Sequence, residues 1–390
     1  MSVTAPRGFV AAGAACGIKA SGALDLALVA TEDAVAVPAA GVFTSNRAAA
    51  APVLVSRAHL AATGGRAAAV VLSSGNANAA TGDPGRADAE RMCRLVGDDL
   101  GSASEEVLVC STGLIGIPLP MGPVAQGIPG LVAARAGGRE AAVAAASAIM
   151  TTDTVRKEAV VVGDGFTVGA MAKGAAMLAP DMATMLAVLT TDAVCAGAAL
   201  GTALARAVTG SFNTLTVDGC TSTNDTVLVL AGGGSGTSPS TEALGEALGE
   251  ACRQLAEAMA ADAEGGTKVF RVVVTGAGSD EEAHAAARRV AGSMLVKCSV
   301  NGEDPYWGRV MSELGSAGVG FEADRVAISY GDVCVCRHGV SAAHDAAAVA
   351  AHMAGAHVEI RGDLGLGGGT GAVLGTDLGH GYIDENRTTS

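Results

Sequence analysis

Short apolar runs that end in clusters of glycine, serine or asparagine recur along this chain. Runs of about four to eight apolar residues bounded in this way are typical of β-strands. The pattern predicts strands at residues 67–72, 107–110, 159–162, 166–171, 186–189, 227–231 and 269–274. Helical segments lie between several of these runs, and the connections are rich in glycine. Strands and helices mixed in this order predict an α/β sandwich.

The clearest predicted helix covers residues 239–262. Ser238 is the expected N-cap, and Pro239 occupies the first helical position. Further helices are predicted at residues 280–291 and 342–354. Five apolar side chains of the first helix recur at helical spacing and form one stripe: Leu244, Leu248, Cys252, Leu255 and Met259.

Charge and hydropathy narrow the range of partners. The chain has 390 residues, a formal net charge of −14 at pH 7 and only five lysines. It lacks the clustered positive charge that attracts nucleic acids or anionic membranes, so small polar substrates are the more suitable partners.

No uncharged apolar run has the about 18 residues needed to cross a bilayer, and the first residues contain no apolar signal core. We expect a soluble, cytoplasmic protein.

The cysteines and histidines predict neither disulfides nor a metal site. The nine cysteines are an odd number without CxxC pairs. Cys334 and Cys336 would share one face of a strand without the position of a routine disulfide. We therefore expect reduced thiols, as in the cytosol. No histidine occurs in HExxH or comparable spacing, so no metal is expected.

Thr184 is the first candidate catalytic residue. It follows Ala183 in the segment KGAAMLAPDMATMLAVLTTDA, between a proline-containing turn and an apolar run. A small residue before a threonine favours backbone self-cleavage, because the hydroxyl must attack the preceding carbonyl. Cleavage would leave Thr184 with a free amine as its own base. The alternative is a Met-rich core segment with a buried threonine bonded to its own backbone.

A second candidate is STGLIG, residues 111–116, after an apolar run. The Thr112 hydroxyl and the Gly113 amide would offer two donors to a developing oxyanion. The same pattern is common wherever a strand ends in a turn.

Two further loops carry groups that suit an amino-acid substrate. MTTDT, residues 150–154, offers hydroxyls, and Lys173 downstream offers a cation for a carboxylate. Alternatively, Thr151 or Thr152 caps a helix. In DAEGGTK, residues 262–268, Glu264 follows the predicted helix. A helix C-terminus mildly disfavours negative charge. This carboxylate is therefore either simply solvated or kept there for a function.

Together these blocks closely resemble the ornithine acetyltransferase family, the bifunctional glutamate N-acetyltransferases of the arginine pathway. The resemblance extends over essentially the whole chain. Besides the loops above, it rests on AAGVFTSNR (39–47), SSGNANAATG (73–82), AIMTTDT (148–154), STNDT (222–226), LVK (295–297), DPYWGR (304–309) and GYIDEN (381–386).

The resemblance implies a self-cleaving precursor with an α chain (1–183) and a β chain (184–390) in one layered α/β sandwich. It also implies a smaller C-terminal α/β subdomain at about 285–375. Thr184 would take the acetyl group from N2-acetylornithine and pass it to glutamate. No cofactor is implied, although acetyl-CoA is a possible co-substrate. A pair of αβ units is the expected assembly.

The resemblance also assigns site residues. Thr112 and Gly113 would form the oxyanion hole. The implied substrate-binding residues are Thr151, Lys173, Thr184, Glu264, Asn386 and Ser390.

Some positions depart from the family pattern. Tyr306 stands where asparagine is usual, and Ala176 where glycine is usual. The tail after Asn386 is one residue short, so Thr389 is an alternative to Ser390.

Three other functions stay open. The chain could be an amidase or aminopeptidase with the same kind of nucleophile, because water competes for an acyl-enzyme. It could be a natural-product acetyltransferase with another donor, or an uncleaved binding partner.

Overall fold

The apolar runs of the sequence become strands, and the amphipathic segments between them become helices. The computed structural model describes residues 2–177 and 185–387. Its strands are β1 Phe9–Ala14, β2 Leu26–Thr31, β3 Val37–Phe43, β4 Arg66–Ala67, β5 Ala69–Asn76, β6 Val107–Leu114, β7 Lys157–Val162, β8 Thr167–Lys173, β9 Leu186–Thr191, β10 Leu215–Thr216, β11 Thr226–Ala231, β12 Val269–Ala277, β13 Ala327–Tyr330, β14 Val333–Arg337, β15 Val340–Ser341, β16 His357–Asp363 and β17 Gly369–Thr376.

The helices alternate with these strands, as the sequence predicts for an α/β protein. They are α1 Ala51–Ala62, α2 Gly82–Leu100, α3 Met121–Ala133, α4 Arg139–Ala148, α5 Gly197–Thr209, α6 Thr241–Ala261, α7 Asp280–Ala291, α8 Met294–Asn301, α9 Gly308–Gly315, α10 Ala346–Met353 and α11 His380–Glu385. The predicted α/β class is confirmed.

Two sheets pack face to face at the centre of the fold. One has four strands in the order β1-β2-β5-β6, and the other has six in the order β4-β3-β11-β9-β8-β7. Side chains from both sheets and from α4 share one apolar layer. Helices α1, α2 and α3 cover the outer face of the first sheet, and α5 and α6 cover the outer face of the second. The result is a helix–sheet–sheet–helix sandwich.

Burial on both faces explains why the strand sequences are continuously apolar rather than alternating. All six residues of β9 are buried. Leu186 and Val188 face the layer between the sheets, while Ala187 and Leu189 face α5 and α6. A polar side chain in the middle of such a strand would have no access to water, so polar groups are confined to the strand ends.

A third sheet has a core of its own. Its seven strands run β10-β17-β12-β16-β13-β14-β15, and its buried side chains extend from Phe270 to Val373. Lys297 of the LVK block ties α8 to this sheet, because its ammonium donates to the carbonyls of Thr216 and Thr376 at 3.2 and 2.8 Å. Burial lowers the pKa of Lys297 to about 8.

The predicted boundary between two chains, at residues 183 and 184, lies outside the described residues. That division and the proposed C-terminal subdomain at about 285–375 stay predictions.

Most predicted elements are found, with differences at their ends. The strand predicted at 107–110 continues to Leu114, so STGLIG begins inside β6 instead of after it. The helix predicted from 342 starts at Ala346, where the Asp345 carboxylate accepts the backbone N–H groups of the first turn.

The N-cap predicted for α6 is wrong by two residues. The helix begins at Thr241, and the Ser240 hydroxyl accepts the Ala243 N–H at 3.1 Å. Ser238 and Pro239 therefore lie before the helix. The apolar stripe predicted for this helix is confirmed, since all five of its side chains are buried.

Replacing Ser240 with alanine should lower the free energy of unfolding by about 1 kcal/mol, because one backbone donor of α6 loses its acceptor. Ser238→Ala is the matched control and should change stability little. Urea denaturation midpoints of both variants measure the difference. Equal effects would show that Ser240 does not cap the helix.

Candidate active site

The oxyanion residues predicted from STGLIG lie at the end of β6. Thr112 is buried and pairs with β5, where the register shifts at Gly75 and Asn76. Gly113 has φ +131°, and a Cβ atom there would lie 2.3 Å from the Gly75 carbonyl carbon. Only glycine fits such a conformation at so close an approach. The two strand ends therefore hold Thr112 and Gly113 in one defined position.

Lys173 ends β8 and points toward Thr112. Its Nζ donates to the Thr112 hydroxyl oxygen at 3.4 Å and lies 3.9 Å from Asp153 Oδ2. The Lys173 side chain is only 3% exposed. Burial lowers its pKa, and the charge of Asp153 opposes that shift. The structure thus brings together Lys173 and Thr112, which are 61 residues apart in sequence.

Asp153 connects the MTTDT loop to this lysine. Its carboxylate accepts the N–H groups of Thr151 at 3.0 Å and Gly174 at 2.7 Å, and the Lys157 ammonium at 2.5 Å. Burial alone would raise the pKa of Asp153, but the charges of Lys173 and Lys157 hold it at about 2. The carboxylate therefore stays ionised throughout the neutral range.

Lys157 extends this buried network to the end of α6. Its ammonium also bonds the Asp262 carboxylate, which accepts the backbone N–H groups of Thr154 at 3.0 Å and Val155 at 3.3 Å. The Lys157 side chain has no exposed surface. Two buried carboxylates thus compensate two buried ammoniums, as burial of charge requires. We call Asp153, Lys157, Lys173 and Asp262 the buried ion network.

Glu264 and Asn386 are brought together by the C-terminal helix. The Asn386 side-chain amide donates to Glu264 Oε2 at 2.8 Å, although 122 residues separate the two. The Glu264 N–H also donates to the Ala175 carbonyl at 3.0 Å, beside the end of β8. At Gly265 a Cβ atom would lie 2.0 Å from the Tyr382 nitrogen, so glycine is needed for α11 to pack here.

The nucleophile predicted from the sequence, Thr184, lies outside the described residues, as do Ala183, Thr389 and Ser390. The structure does describe Met185, which follows Thr184. The Met185 N–H donates to Asp225 Oδ1 at 2.9 Å, and the Thr226 N–H donates to the Met185 carbonyl at 3.2 Å. The polypeptide just after the predicted nucleophile is therefore anchored to the start of β11.

Asn224 links that anchor to the oxyanion residues. Its side-chain amide donates to the carbonyls of Ser111 at 2.9 Å and Ala77 at 2.6 Å. Ser111 directly precedes Thr112 in β6. The STNDT loop thus binds the oxyanion strand through Asn224 and the start of β9 through the next residue, Asp225.

Sequence reasoning did not assign roles to the buried ion network beyond Lys173, nor to Asn224 and Asp225. The MTTDT motif pointed to its threonine hydroxyls and not to Asp153, and STNDT was recognised only as a block of the resemblance. A usable signal was present for Asp225, because an ionisable residue stands directly before the fully buried strand β11.

The departures from the family pattern lie in different places. Tyr306 is 60% exposed and precedes α9, which packs in the third sheet's layer. Ala176 lies between the Gly174 N–H that binds Asp153 and the segment that contains Thr184.

The described residues contain no candidate metal site, disulfide or membrane-spanning helix. Within 2–177 and 185–387, no group of three or more histidine, cysteine, aspartate or glutamate side chains is arranged to hold a metal ion. All nine cysteines are free thiols. Across the same two ranges, no helix is long and apolar enough to cross a membrane.

Comparison with known proteins identifies the family. The profile described as "ArgJ family" matches residues 10–388. The chain belongs to the ArgJ family. The "Arginine biosynthesis bifunctional protein ArgJ" of Mycobacterium tuberculosis is 48% identical over 394 residues, which cover 100% of this chain and 96% of that protein. The Streptomyces coelicolor protein of the same name is 46% identical, with 100% of both chains covered.

A solved structure of the ArgJ family was also matched. It is the ornithine acetyltransferase of Mycobacterium tuberculosis complexed with ornithine, 44% identical, with a TM-score of 0.42. The match covers 47% of this chain and 96% of that chain. The family resemblance predicted from the motifs is confirmed, and so is the prediction of an acyltransferase. The amidase alternative is not favoured.

Loss of the Asp153 carboxylate should destabilise this ArgJ protein strongly. Asp153→Asn leaves two buried ammoniums short of a counter-charge, so the free energy of unfolding should fall by roughly 3 to 5 kcal/mol. Glu90→Gln, in the exposed Arg86–Glu90 pair at 3.2 Å, is the control and should change little. Urea denaturation at pH 7 compares the two.

The same carboxylate sets a pH dependence. Because the folded pKa of Asp153, about 2, is below the ordinary value of 3.8, its stabilisation is present above about pH 4 and is lost as the pH falls toward 2. Asp153→Asn should lose less stability than the wild-type protein as the pH falls, because it has no carboxylate to protonate at this position. Parallel stability profiles between pH 5 and 2 would contradict the role given to Asp153.

Proposed function

We propose that this protein is a self-processing acetyltransferase that moves the acetyl group of N2-acetylornithine to glutamate through an ester on Thr184. One observation carries the proposal. The buried Lys173 ammonium lies 3.4 Å from the Thr112 hydroxyl, next to Gly113 and in register with Leu186, two residues after Thr184. A cation for a carboxylate and donors for an oxyanion thus meet beside the proposed nucleophile.

Self-cleavage comes first. The Thr184 hydroxyl attacks the Ala183 carbonyl, the peptide bond shifts to an ester, and water releases the two chains. The two chains stay together, because β8 and β9 are adjacent strands on opposite sides of the cut. Their side chains share both apolar layers of the sheet.

Acetyl transfer then uses the new N-terminus of the β chain. The new amine of Thr184 takes the proton of its own hydroxyl, which attacks the acetyl carbonyl of the donor. The Thr112 hydroxyl and the Gly113 N–H stabilise the oxyanion. Ornithine leaves, glutamate enters, and its amine attacks the ester. The acetyl-enzyme divides one difficult transfer into two easier ones.

Substrate binding follows from the charges around this point. Lys173 neutralises the α-carboxylate that donor and acceptor have in common, with Thr151 beside it. Glu264, held by Asn386, pairs with the ornithine side-chain amine. Ser390 is proposed as the terminal contact. Since one cation, Lys173, serves the α-carboxylate of both substrates, they bind in turn.

The assembly and location are part of the same proposal. Two αβ units form the active protein, and it works in the cytoplasm. Acetyl-CoA is proposed only as a possible second donor.

Purified protein should consist of two chains, with the β chain beginning at Thr184. Incubation with N2-acetylornithine alone should add one acetyl group to that residue, because no acceptor removes it. Intact-mass and peptide mass spectrometry measure both. Thr184→Ala should stay full length near 37.9 kDa and be inactive. Another N-terminus, or no acetylated Thr184, would contradict the mechanism.

Thr112→Ala should lower kcat by about a hundredfold or more, because one oxyanion donor is lost, while KM changes little. The matched control is Thr152→Ala, at an exposed threonine of the neighbouring loop, which should retain wild-type kcat. Steady-state kinetics with both substrates measure kcat and KM for the two variants. An unchanged kcat with a raised KM would place Thr112 in substrate positioning instead.

A further inference from the structure

Lys19 is a cation at the edge of the candidate site that no step of the proposed function uses. Its Nζ atom donates to the Leu24 carbonyl at 2.8 Å and to the Met150 carbonyl at 2.7 Å. Met150 directly precedes Thr151, so the ammonium lies against the loop that carries Thr151 and Asp153. An ammonium has three N–H donors. Among the residues that the structure describes, the third donor has no acceptor.

The backbone around Lys19 is fixed by Asp25, which directly precedes β2. The buried Asp25 carboxylate accepts four consecutive backbone N–H groups, those of Cys16 at 2.7 Å, Gly17 at 3.0 Å, Ile18 at 2.7 Å and Lys19 at 3.1 Å. Backbone donors thus occupy this carboxylate, and it forms no ion pair with the Lys19 ammonium. The position of Lys19 is set by a folded loop rather than by a counter-charge.

Lys19 also contacts the end of the oxyanion strands. Gly75 has φ +100°, and a Cβ atom there would lie 3.0 Å from Lys19 Cγ. Gly75 is the residue against which Gly113 packs. The Lys19 side chain therefore extends from the end of β5, next to Gly113, to the MTTDT loop. This places Lys19 in the wall of the candidate site.

The charge of Lys19 has no contacting counter-charge, unlike that of the neighbouring lysines. Lys157 and Lys173 both pair with Asp153. Lys19 bonds only carbonyl oxygens and, within the described part of the chain, takes part in no ion pair. A half-buried cation in this situation favours an anionic ligand.

Lys19 and Glu264 act on different parts of the site. Burial lowers the pKa of Lys173, and Asp153 and Glu264 are among the charges that raise it. Burial also lowers the pKa of Lys19, while Asp25 and Asp153 raise it and Lys173 lowers it. Glu264 thus acts on Lys173 but is not among the groups that act on Lys19. Since charge interactions weaken with distance, the Lys19 ammonium lies farther from Glu264 than the Lys173 ammonium does.

The two proposed substrates differ in the charge at the end of their side chains. Ornithine has an amine there, and glutamate has a second carboxylate. Glu264 can pair with the amine, but it repels a carboxylate. A site that takes both substrates in turn therefore needs a second cation for glutamate, away from Glu264.

We propose that Lys19 binds the side-chain carboxylate of the acceptor glutamate and so selects it over neutral amino acids. The inference rests on the proposed function, in which donor and acceptor bind in turn at Lys173. Two side-chain positions then share one α-carboxylate position. The ornithine side chain ends at Glu264, and the glutamate side chain ends at Lys19, whose third N–H donates to it.

The test compares glutamate with glutamine, which has nearly the same shape without the charge. With N2-acetylornithine as donor, the wild-type protein should prefer glutamate. Lys19→Gln should lower kcat/KM for glutamate by about tenfold to a hundredfold, because a hydrogen bond between charged groups is lost. Most of the change should be in KM, and kcat/KM for glutamine should change little. Steady-state kinetics with both acceptors measure these values.

Two controls separate the charge of Lys19 from the position of the loop. Arg156→Gln removes a cation just after the same loop, one that already pairs with Glu158 at 3.6 Å, and should keep the wild-type preference. Acetylation of the enzyme by N2-acetylornithine alone should be as fast in Lys19→Gln as in the wild type, because the donor has no second carboxylate. A displaced loop would slow acetylation and transfer alike.

Further variants and outcomes complete the test. Lys19→Arg keeps a cation and should keep the preference, whereas Lys19→Met should lose it. An unchanged preference in folded Lys19→Gln or Lys19→Met, or acetylation slowed as much as transfer, would overturn the role of Lys19 alone. Equal use of glutamate and glutamine by the wild type would do so without any variant. A wild-type protein that forms no acetyl-enzyme would instead overturn the proposed function, and this inference with it.

Discussion

Face-to-face packing of two sheets is the constraint on which the rest of this structure depends. Strands β9 and β11 at the centre of the six-stranded sheet are buried on both faces, so their middles accept only apolar side chains. Polar chemistry is thereby confined to strand ends. The ends of β6 and β8 and the starts of β9 and β11 meet at one such edge, where Thr112, Lys173 and Asp225 lie. The candidate site is a consequence of how the core is built.

The buried ion network couples this site to the stability of the fold. A buried ammonium such as Lys173 is tolerated because Asp153 is ionised beside it, and Asp153 is in turn held by Lys157 and backbone N–H groups. A hydrophobic replacement of the whole network would cost less desolvation. In the proposed function Lys173 binds a substrate carboxylate, and that requirement would explain a feature that stability alone does not.

Self-cleavage and cohesion have the same structural origin. The proposed cut falls between β8 and β9, which pair from Val168 with Thr191 to Lys173 with Leu186. Cutting the connection between two hydrogen-bonded neighbours leaves their pairing and their buried side chains in place. Asp218 holds Met177 and Asp225 holds Met185, so both sides of the segment stay fixed. A new amine can therefore appear in a site that is otherwise complete.

The sequence alone determined strands β5–β9, β11 and β12, the stripe of α6 and the family, because periodicity and motifs are local patterns. It also pointed to Thr112, Lys173 and Glu264 as candidates. Only the tertiary structure decided which groups meet: Asn224 binds the Ser111 carbonyl across 113 residues, and Lys157 binds Asp262 across 105. Such pairs depend on the order of strands in the sheets, which no local pattern encodes. The tertiary structure also decided the N-cap of α6, because the Ser240 hydroxyl is the one that accepts the Ala243 N–H.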